Sequence, residues 1–332
     1  MEPLHHAFSY ILPLRAHRSL ANGELSVYIE WLAQRCELLI VDGSPPEIFA
    51  THHVAWTPHA QHIAPAPDLV TPMGKVGGVL TGVRHATHER IIIADDDVRY
   101  DADALGRVVA LLADAEVVRP QNYFSPMPWH ALWDTGRSLL NRLHGGDWPG
   151  TLAVRKSILL RTGGYDGCAM FENLELVRTV IAAGGRECVP LDLFVARRPS
   201  TTTHFWSQRV RQAYDELARP ARLAMQLAAL PLAIATAARF GFIALAIGAA
   251  IIVLAAEAGR RRARGTTVFP PPAALMAVAW VAERAICSWL ALISRVAFGG
   301  IRYRGRVLRH AATPMRELKA RLSAETGLRQ SA

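Results

Sequence analysis

Three consecutive aspartates, Asp95, Asp96 and Asp97, close the apolar run "RIIIADDD". Adjacent carboxylates repel, and a divalent cation cancels that repulsion. Mg²⁺ and Mn²⁺ take oxygen ligands and share them between one or two carboxylates and a diphosphate. A metal so held stabilises a departing phosphate oxygen as a Lewis acid. Aspartate also favours turns and helix N-termini, so the triplet by itself fits a turn equally well. Further groups of related chemistry flank it. Asp42 ends a second apolar run, "ELLIVDGS". Lys75 opens "GKVGGVLTGVRHAT", where a helix dipole would help it meet a phosphate; alone it is a solvated lysine. Glu172 and Glu175 stand one turn apart in "FENLELVRTV" and either could serve as a general base, or both could belong to an ordinary surface helix. In "HFWSQRVRQAYDEL", Gln208, Arg209 and Arg211 lie beside Trp206, which suits a diphosphate and a stacked ring. The same run also reads as a basic amphipathic helix. Trp148 and Gly150, in "HGGDWPGTLAV", form an aromatic loop that could line an acceptor site or be a structural turn.

These residues need a scaffold, and the first two hundred positions supply an alternation of short apolar runs and helical spacing. Strands are expected at 8–14, 37–44, 90–97 and 116–121, and helices at 25–36, 74–87 and 101–115. Such alternation implies an α/β layer around a mostly parallel sheet. Ligands in these sheets bind outside the carboxyl ends of the strands, where Asp42 and Asp95–Asp97 fall.

The character of the chain changes after Arg222. Residues 223–238 and 240–256 are apolar runs parted only by Arg239, and the second spans 17 positions without a charge. That length is near the minimum for a membrane-spanning helix. The basic segment 259–265 follows, a cytoplasmic mark by the positive-inside rule. A third apolar run, 273–298, carries Glu283, Arg284 and Arg295 and could lie in the interface or pack within a bundle. The net charge of +9 resides wholly in this region: 259–332 holds 14 basic and 3 acidic side chains. A basic stretch beside apolar segments faces anionic lipid more readily than nucleic acid. The four cysteines are scattered without a C-x-x-C pair, which points to reduced thiols rather than a zinc site or disulfide framework. The N-terminal residues read as a first strand, not a cleaved signal peptide.

Taken in order, the motifs resemble family 2 glycosyltransferases of the GT-A fold, in particular the membrane-bound ceramide glucosyltransferase-like group. The resemblance covers residues 8–215 and, in general plan, the apolar C-terminal region. It implies a cytoplasmic GT-A (Rossmann-like) domain over 1–220, membrane helices over 221–300, a basic tail over 301–332, and a multi-pass protein of the cytoplasmic membrane. It further implies an inverting transfer of a sugar from a nucleotide diphosphate, UDP first among them, to a lipid or lipid-linked hydroxyl with Mg²⁺ or Mn²⁺. Asp42 would bind the nucleoside, Asp95 and Asp96 the nucleotide sugar, and Asp97 with Asp95 the metal. Lys75, Gln208, Arg209 and Arg211 would meet the diphosphate, and Trp148 and Trp206 the acceptor. The chain departs from the family pattern twice. Glu172-Asn173 replaces a Glu-Asp pair, leaving Glu172 as base with Glu175 in reserve, and "QRVRQ" lacks the tryptophan of Q-x-x-R-W. Both departures bear on catalysis and substrate identity, not on architecture. A catalytically silent GT-A protein that serves as a nucleotide-binding assembly partner stays open, as does a metal-dependent nucleotidyltransferase. The latter usually carries a glycine-rich phosphate loop after the first strand, and "ILPLRAHRSLANGEL" has no glycine cluster.

Overall fold

The computed structural model describes residues 8–303 and 305–330. Its strands are β1 (Ser9–Leu14), β2 (Glu37–Asp42), β3 (Gln61–Ile63), β4 (Arg90–Ala94), β5 (Val98–Arg99), β6 (Val117–Val118), β7 (Gln121–Phe124), β8 (Thr151–Arg155), β9 (Glu187–Cys188), β10 (Phe194–Arg197), β11 (Ile301–Tyr303) and β12 (Arg306–Leu308). The helices are α1 (Glu24–Ala33), α2 (Pro46–Trp56), α3 (Gly74–His85), α4 (Ala102–Leu111), α5 (Trp129–Arg142), α6 (Lys156–Arg161), α7 (Glu172–Ala182), α8 (Thr202–Ser207), α9 (Arg209–Tyr214), α10 (Pro220–Arg261), α11 (Pro272–Ala297) and α12 (Met315–Gln330).

Seven strands form the main sheet in the order β3-β2-β1-β4-β8-β6-β9. β3, β2, β1 and β4 run parallel, while β8 lies antiparallel between β4 and β6. The sheet is therefore mixed and mostly parallel, as the alternating pattern implies. Its central strands are buried on both faces, which is why they read as unbroken apolar runs. One face packs on α3 and α7 and the other on α1 and α4. A smaller sheet, β5-β10-β7, stands beside it. Sequence reasoning extends the fourth strand through Asp97, whereas β4 ends at Ala94 and the aspartates occupy the turn into β5. The repulsion among three carboxylates is better relieved in a turn, where the side chains diverge.

The small residues of α3 let it lie close on the sheet. A methyl group at Gly82 would stand 2.5 Å from Ile11 Cγ2. That close approach aims the helix start, with Lys75, at the end of β4.

The C-terminal helices are attached to this unit through α5. Buried Arg142 donates to the carbonyls of Leu191, Gly259 and Arg262, which ties α5 to the end of α10. α10 is interrupted at Gly241, whose φ of 75° only glycine adopts readily. Gln226, near its start, accepts from Ser288 of α11, and Ala256, near its end, packs in one cluster with Ala273, Ala274 and Ala277. A straight helix would separate residues 226 and 256 by about 45 Å, but 274 and 288 are only about 21 Å apart along α11. The chain thus folds back at Gly241. Both α10 and α11 are long and apolar enough to cross a membrane, and Phe240, Phe242 and Ile243 at the bend are largely exposed.

α5 and α11 cross where a methyl group at Gly136 would lie 2.6 Å from the Ala277 backbone nitrogen. Gly136→Val should lower stability by about 2–3 kcal/mol through overpacking at this crossing. Thermal unfolding in neutral detergent checks it.

Candidate active site

The turn after β4 lies at the carboxyl edge of the parallel strands, and three cations converge on it. Lys75 Nζ is 2.6 Å from Asp95 Oδ1 and 2.8 Å from Glu172 Oε1. Burial alone would lower the Lys75 pKa, but the Asp95 and Glu172 carboxylates outweigh it and hold the ammonium charged. Arg197, at the end of β10, donates to Asp97 Oδ2 at 2.8 Å and reaches Asp95 Oδ2 at 3.6 Å. Arg99 turns back and donates to the Asp96 carbonyl. Burial pushes the Asp97 pKa up while Arg197 opposes the shift. Asp97 Oδ1 is buried and has no hydrogen-bond partner among the described residues.

The loop before β8 closes over this turn. Asp95 N donates to the Gly150 carbonyl at 2.8 Å, and Gly150 N donates to Asn122 Oδ1 at 2.7 Å. A methyl group at Gly150 would sit 2.8 Å from Asp95 Oδ2 and push that carboxylate aside. Trp148, in the same loop, packs edge-on against Phe171 at 5.0 Å and carries the Arg119 guanidinium over its face. Asn173 Nδ2 donates to the Pro149 carbonyl at 2.9 Å.

Two cavities meet at Asp95. One, of about 490 Å³, opens at the carboxyl ends of β1, β2 and β4, with Lys75, Asp96, Arg15 and the hairpin residues Tyr303 and Arg306 in its walls. The other, of about 250 Å³, is bounded by Asp97, Glu172, Trp148, Gln208, Arg211 and Arg284. Asp95, Asp96, Asp97, Lys75, Glu172, Trp148, Gln208 and Arg211 are thus brought to one place.

Four expected residues either lie elsewhere or are already engaged. Glu175 is fully buried on the far side of α7, where its Oε2 accepts from the Thr313 backbone nitrogen at 2.6 Å. It ties down the segment before α12 and does not face Asp95. Arg209 borders the smaller cavity but is engaged by carboxylates: it spans Asp134 at 2.7 and 3.2 Å and reaches Glu283 at 3.4 Å. These contacts join α9, α5 and α11. Trp206 is half exposed in an aromatic cluster with Trp129, Trp133 and Phe205 and lines neither cavity.

Asp42 is the fourth. It is buried and accepts from Ser44 N, His52 Nδ1 at 2.7 Å and His62 Nε2 at 3.2 Å. Burial alone would raise its pKa, but these hydrogen bonds, His62 foremost, outweigh it and hold it at about 2. The carboxylate is satisfied internally and does not line the larger cavity. The three side chains resemble a metal cluster, with ligand atoms within 4.8 Å of one another. The hydrogen bonding rules against that. Leu20 N donates to His52 Nε2 at 2.9 Å, so Nε2 presents its lone pair and Nδ1 carries the proton given to Asp42. Neither His52 nitrogen is left for a metal, and a metal-bound histidine would instead donate from its other nitrogen.

Linkage gives this cluster an acid-stability signature. The Asp42 pKa lies below its ordinary 3.8, so its contribution is complete above about pH 4 and lost as the pH falls through about 2. The amount is about 2 kcal/mol. Denaturant midpoints at pH 5 and pH 2 should show the loss, and Asp42→Asn should flatten the profile.

The residues that sequence reasoning missed are Arg197, Asn122, His52 and His62. Arg197 ends a short apolar strand, "LFVAR", a place where a charged residue can face the same edge as the aspartates. The histidines lie at i and i+10; His62 reaches Asp42 through the pairing of β2 with β3, and His52 reaches it from α2.

No protein-family description and no curated protein matches the chain. Among solved structures, mannosyltransferase PcManGT from Pyrobaculum calidifontis, in complex with GDP-mannose and Mn²⁺, superposes with a TM-score of 0.52 at 20% identity. The match covers 86% of this chain and 87% of that one. Mannosyl-3-phosphoglycerate synthase from Rubrobacter xylanophilus aligns over 62% of this chain and 71% of its own, with 13% identity and a TM-score of 0.43. The first match gives the fold: a GT-A α/β unit followed by apolar helices.

Proposed function

We propose that the protein is a membrane-attached glycosyltransferase that moves a sugar from a nucleotide diphosphate to an acceptor in an inverting displacement. The observation that carries this reading is the pair of cavities sharing Asp95, one at the strand ends where nucleotides bind in such sheets and one beside Glu172. The larger cavity takes the donor, with Lys75 beside the phosphates, and Asp95 and Asp96 toward the ribose and sugar.

Asp97 and Asp95 would hold Mg²⁺ or Mn²⁺. Their all-oxygen donor set suits these ions, and the unpartnered, buried Asp97 Oδ1 is an acceptor that a cation would satisfy. When bound, the ion supplies Lewis-acid stabilisation of the departing diphosphate. Mn²⁺ accompanies GDP-mannose in the PcManGT structure. UDP is the nucleotide that the family resemblance favours, and GDP the one that this structural neighbour suggests.

Glu172, at the start of α7, is the base that takes the proton of the acceptor hydroxyl. Lys75 holds its carboxylate at the edge of the smaller cavity. Trp148 lines the acceptor side. The acceptor is a lipid or lipid-linked hydroxyl, because α10 and α11 carry exposed apolar surface and the arginines at 260–264 suit the cytoplasmic face.

Titration calorimetry of the detergent-solubilised protein with UDP and GDP, each with Mn²⁺ and with EDTA, tests the reading. Metal-dependent binding of one nucleotide is the expected result. No binding under any condition would remove the transferase and leave a scaffold. Nucleotide binding without transfer or donor hydrolysis would favour the silent GT-A protein that Asn173 allows.

A further inference from the structure

Arg284 has no role in the chemistry above, and its surroundings are costly. It lies on the apolar helix α11, only 2% exposed. Its Nε and Nη1 have no hydrogen-bond partner among the described residues. The nearest carboxylate, Glu283, is 3.9 Å away and also faces Arg209. A guanidinium does not shed its proton, so burying its donors unpaired costs more than for a neutral group. An ionisable side chain in such a helix commonly marks a substrate path.

The side chain opens on the smaller cavity, and two further guanidiniums, Arg211 and Arg219, whose Nε atoms have no hydrogen-bond partner among the described residues, border the same space. They come from different elements: Arg211 from α9, Arg219 from the turn before α10, and Arg284 from α11. Planar forks converging from three directions suit an oxyanion with several acceptor oxygens. Arg284, Arg211 and Arg219 line this cavity and not the larger one assigned to the donor, so they serve the acceptor side. Besides Glu283, two acids flank the arginines. Glu216 is taken up by Arg219 at 2.9 Å and Arg222 at 3.3 Å. Burial lifts Asp215 to about 7 against the pull of Arg211, so it can hold a proton beside an anion.

We propose that the acceptor carries a phosphate ester and that Arg284, with Arg211 and Arg219, seats it in the smaller cavity. The word acceptor rests on the transferase reading; the anion site itself does not. The ester comes from a lipid headgroup or from a soluble phosphate, and the test separates the two.

The full-length protein in neutral detergent is titrated with dodecyl phosphate, dodecanol and glycerol 3-phosphate. Dodecyl phosphate should bind at least tenfold more tightly than dodecanol. Arg284→Met should erase that difference, and Arg284→Lys should keep part of it. Glycerol 3-phosphate binding as tightly as dodecyl phosphate identifies a soluble ester; weaker binding identifies a lipid. Both results sustain the site. Equal binding of dodecyl phosphate and dodecanol to the unaltered protein would overturn it without any variant having to fold. So would unchanged binding in Arg284→Met, or displacement of dodecyl phosphate by UDP or GDP with Mn²⁺, which would assign the arginines to the donor. The nucleotide titration on the same samples keeps the two readings apart. Phosphate binding without nucleotide binding sinks the transferase alone, and nucleotide binding without phosphate binding sinks this inference alone.

Discussion

Asp97→Asn should abolish metal-dependent nucleotide binding and reduce sugar transfer by about 10³-fold or more while leaving the fold intact. The two halves of this result have separate causes. Asp97 contributes a charge and an otherwise unpartnered, buried oxygen at the turn after β4. Asparagine keeps the shape and can still accept from Arg197 through its carbonyl oxygen, but it supplies no anionic ligand. Burial already pushes the Asp97 carboxyl toward its neutral form, so removing the charge should not lower the unfolding temperature. Asp96, the outward-facing residue of the same turn, should matter less, with Asp96→Asn costing about tenfold. Calorimetry with Mn²⁺ and with EDTA separates metal-dependent binding from the rest. Full nucleotide affinity in Asp97→Asn would take the metal away from this residue, whatever the activity of the protein.

The parts of this site that could be read from sequence are those fixed by strand ends. β4 and α3 announce themselves by apolar runs and small residues, and each delivers one charged group to the sheet edge: Asp95 and Lys75. Glu172 follows from the acidic first turn of α7. What could not be read depends on partners far away in the chain. Asp42 looks like a ligand-facing strand-end acid until the pairing of β2 with β3 brings His62 against it. Arg209 looks like a free phosphate cation until Asp134 and Glu283 arrive from α5 and α11. α5 itself escaped the periodicity reading because its inner face is polar: Asp134, Ser138, Asn141 and Arg142 are all buried, each satisfied by a partner outside the local pattern. Hydrophobic spacing locates elements that bury carbon. It says little about an element that buries charge.

The same dependence on distant partners decides the role of residues 172 and 173. Glu172→Gln should lower transfer by about 10²–10⁴-fold, the usual contribution of a general base, with nucleotide binding retained. Lys75 keeps Asp95 as its partner at 2.6 Å, so the variant should fold. The family pattern would place an aspartate next in the chain, and Asn173→Asp invites the expectation of a gain. The geometry predicts the opposite. Asn173 donates to the Pro149 carbonyl, and this bond holds the loop whose next residue, Gly150, accepts from Asp95 N. A carboxylate at 173 would set one acceptor against another, push Trp148 and Gly150 away from the turn after β4, and leave the Pro149 carbonyl without its donor. Transfer in Asn173→Asp should therefore fall, by about tenfold, since the loss is one of positioning. Single-turnover rates with saturating donor distinguish the two variants: Glu172→Gln slows the chemical step at unchanged donor affinity, whereas Asn173→Asp also weakens donor binding through Asp95. An increase in rate for Asn173→Asp would mean that the base belongs at 173 and that this chain has lost it. No change in Glu172→Gln would mean that its carboxylate serves only to hold Lys75.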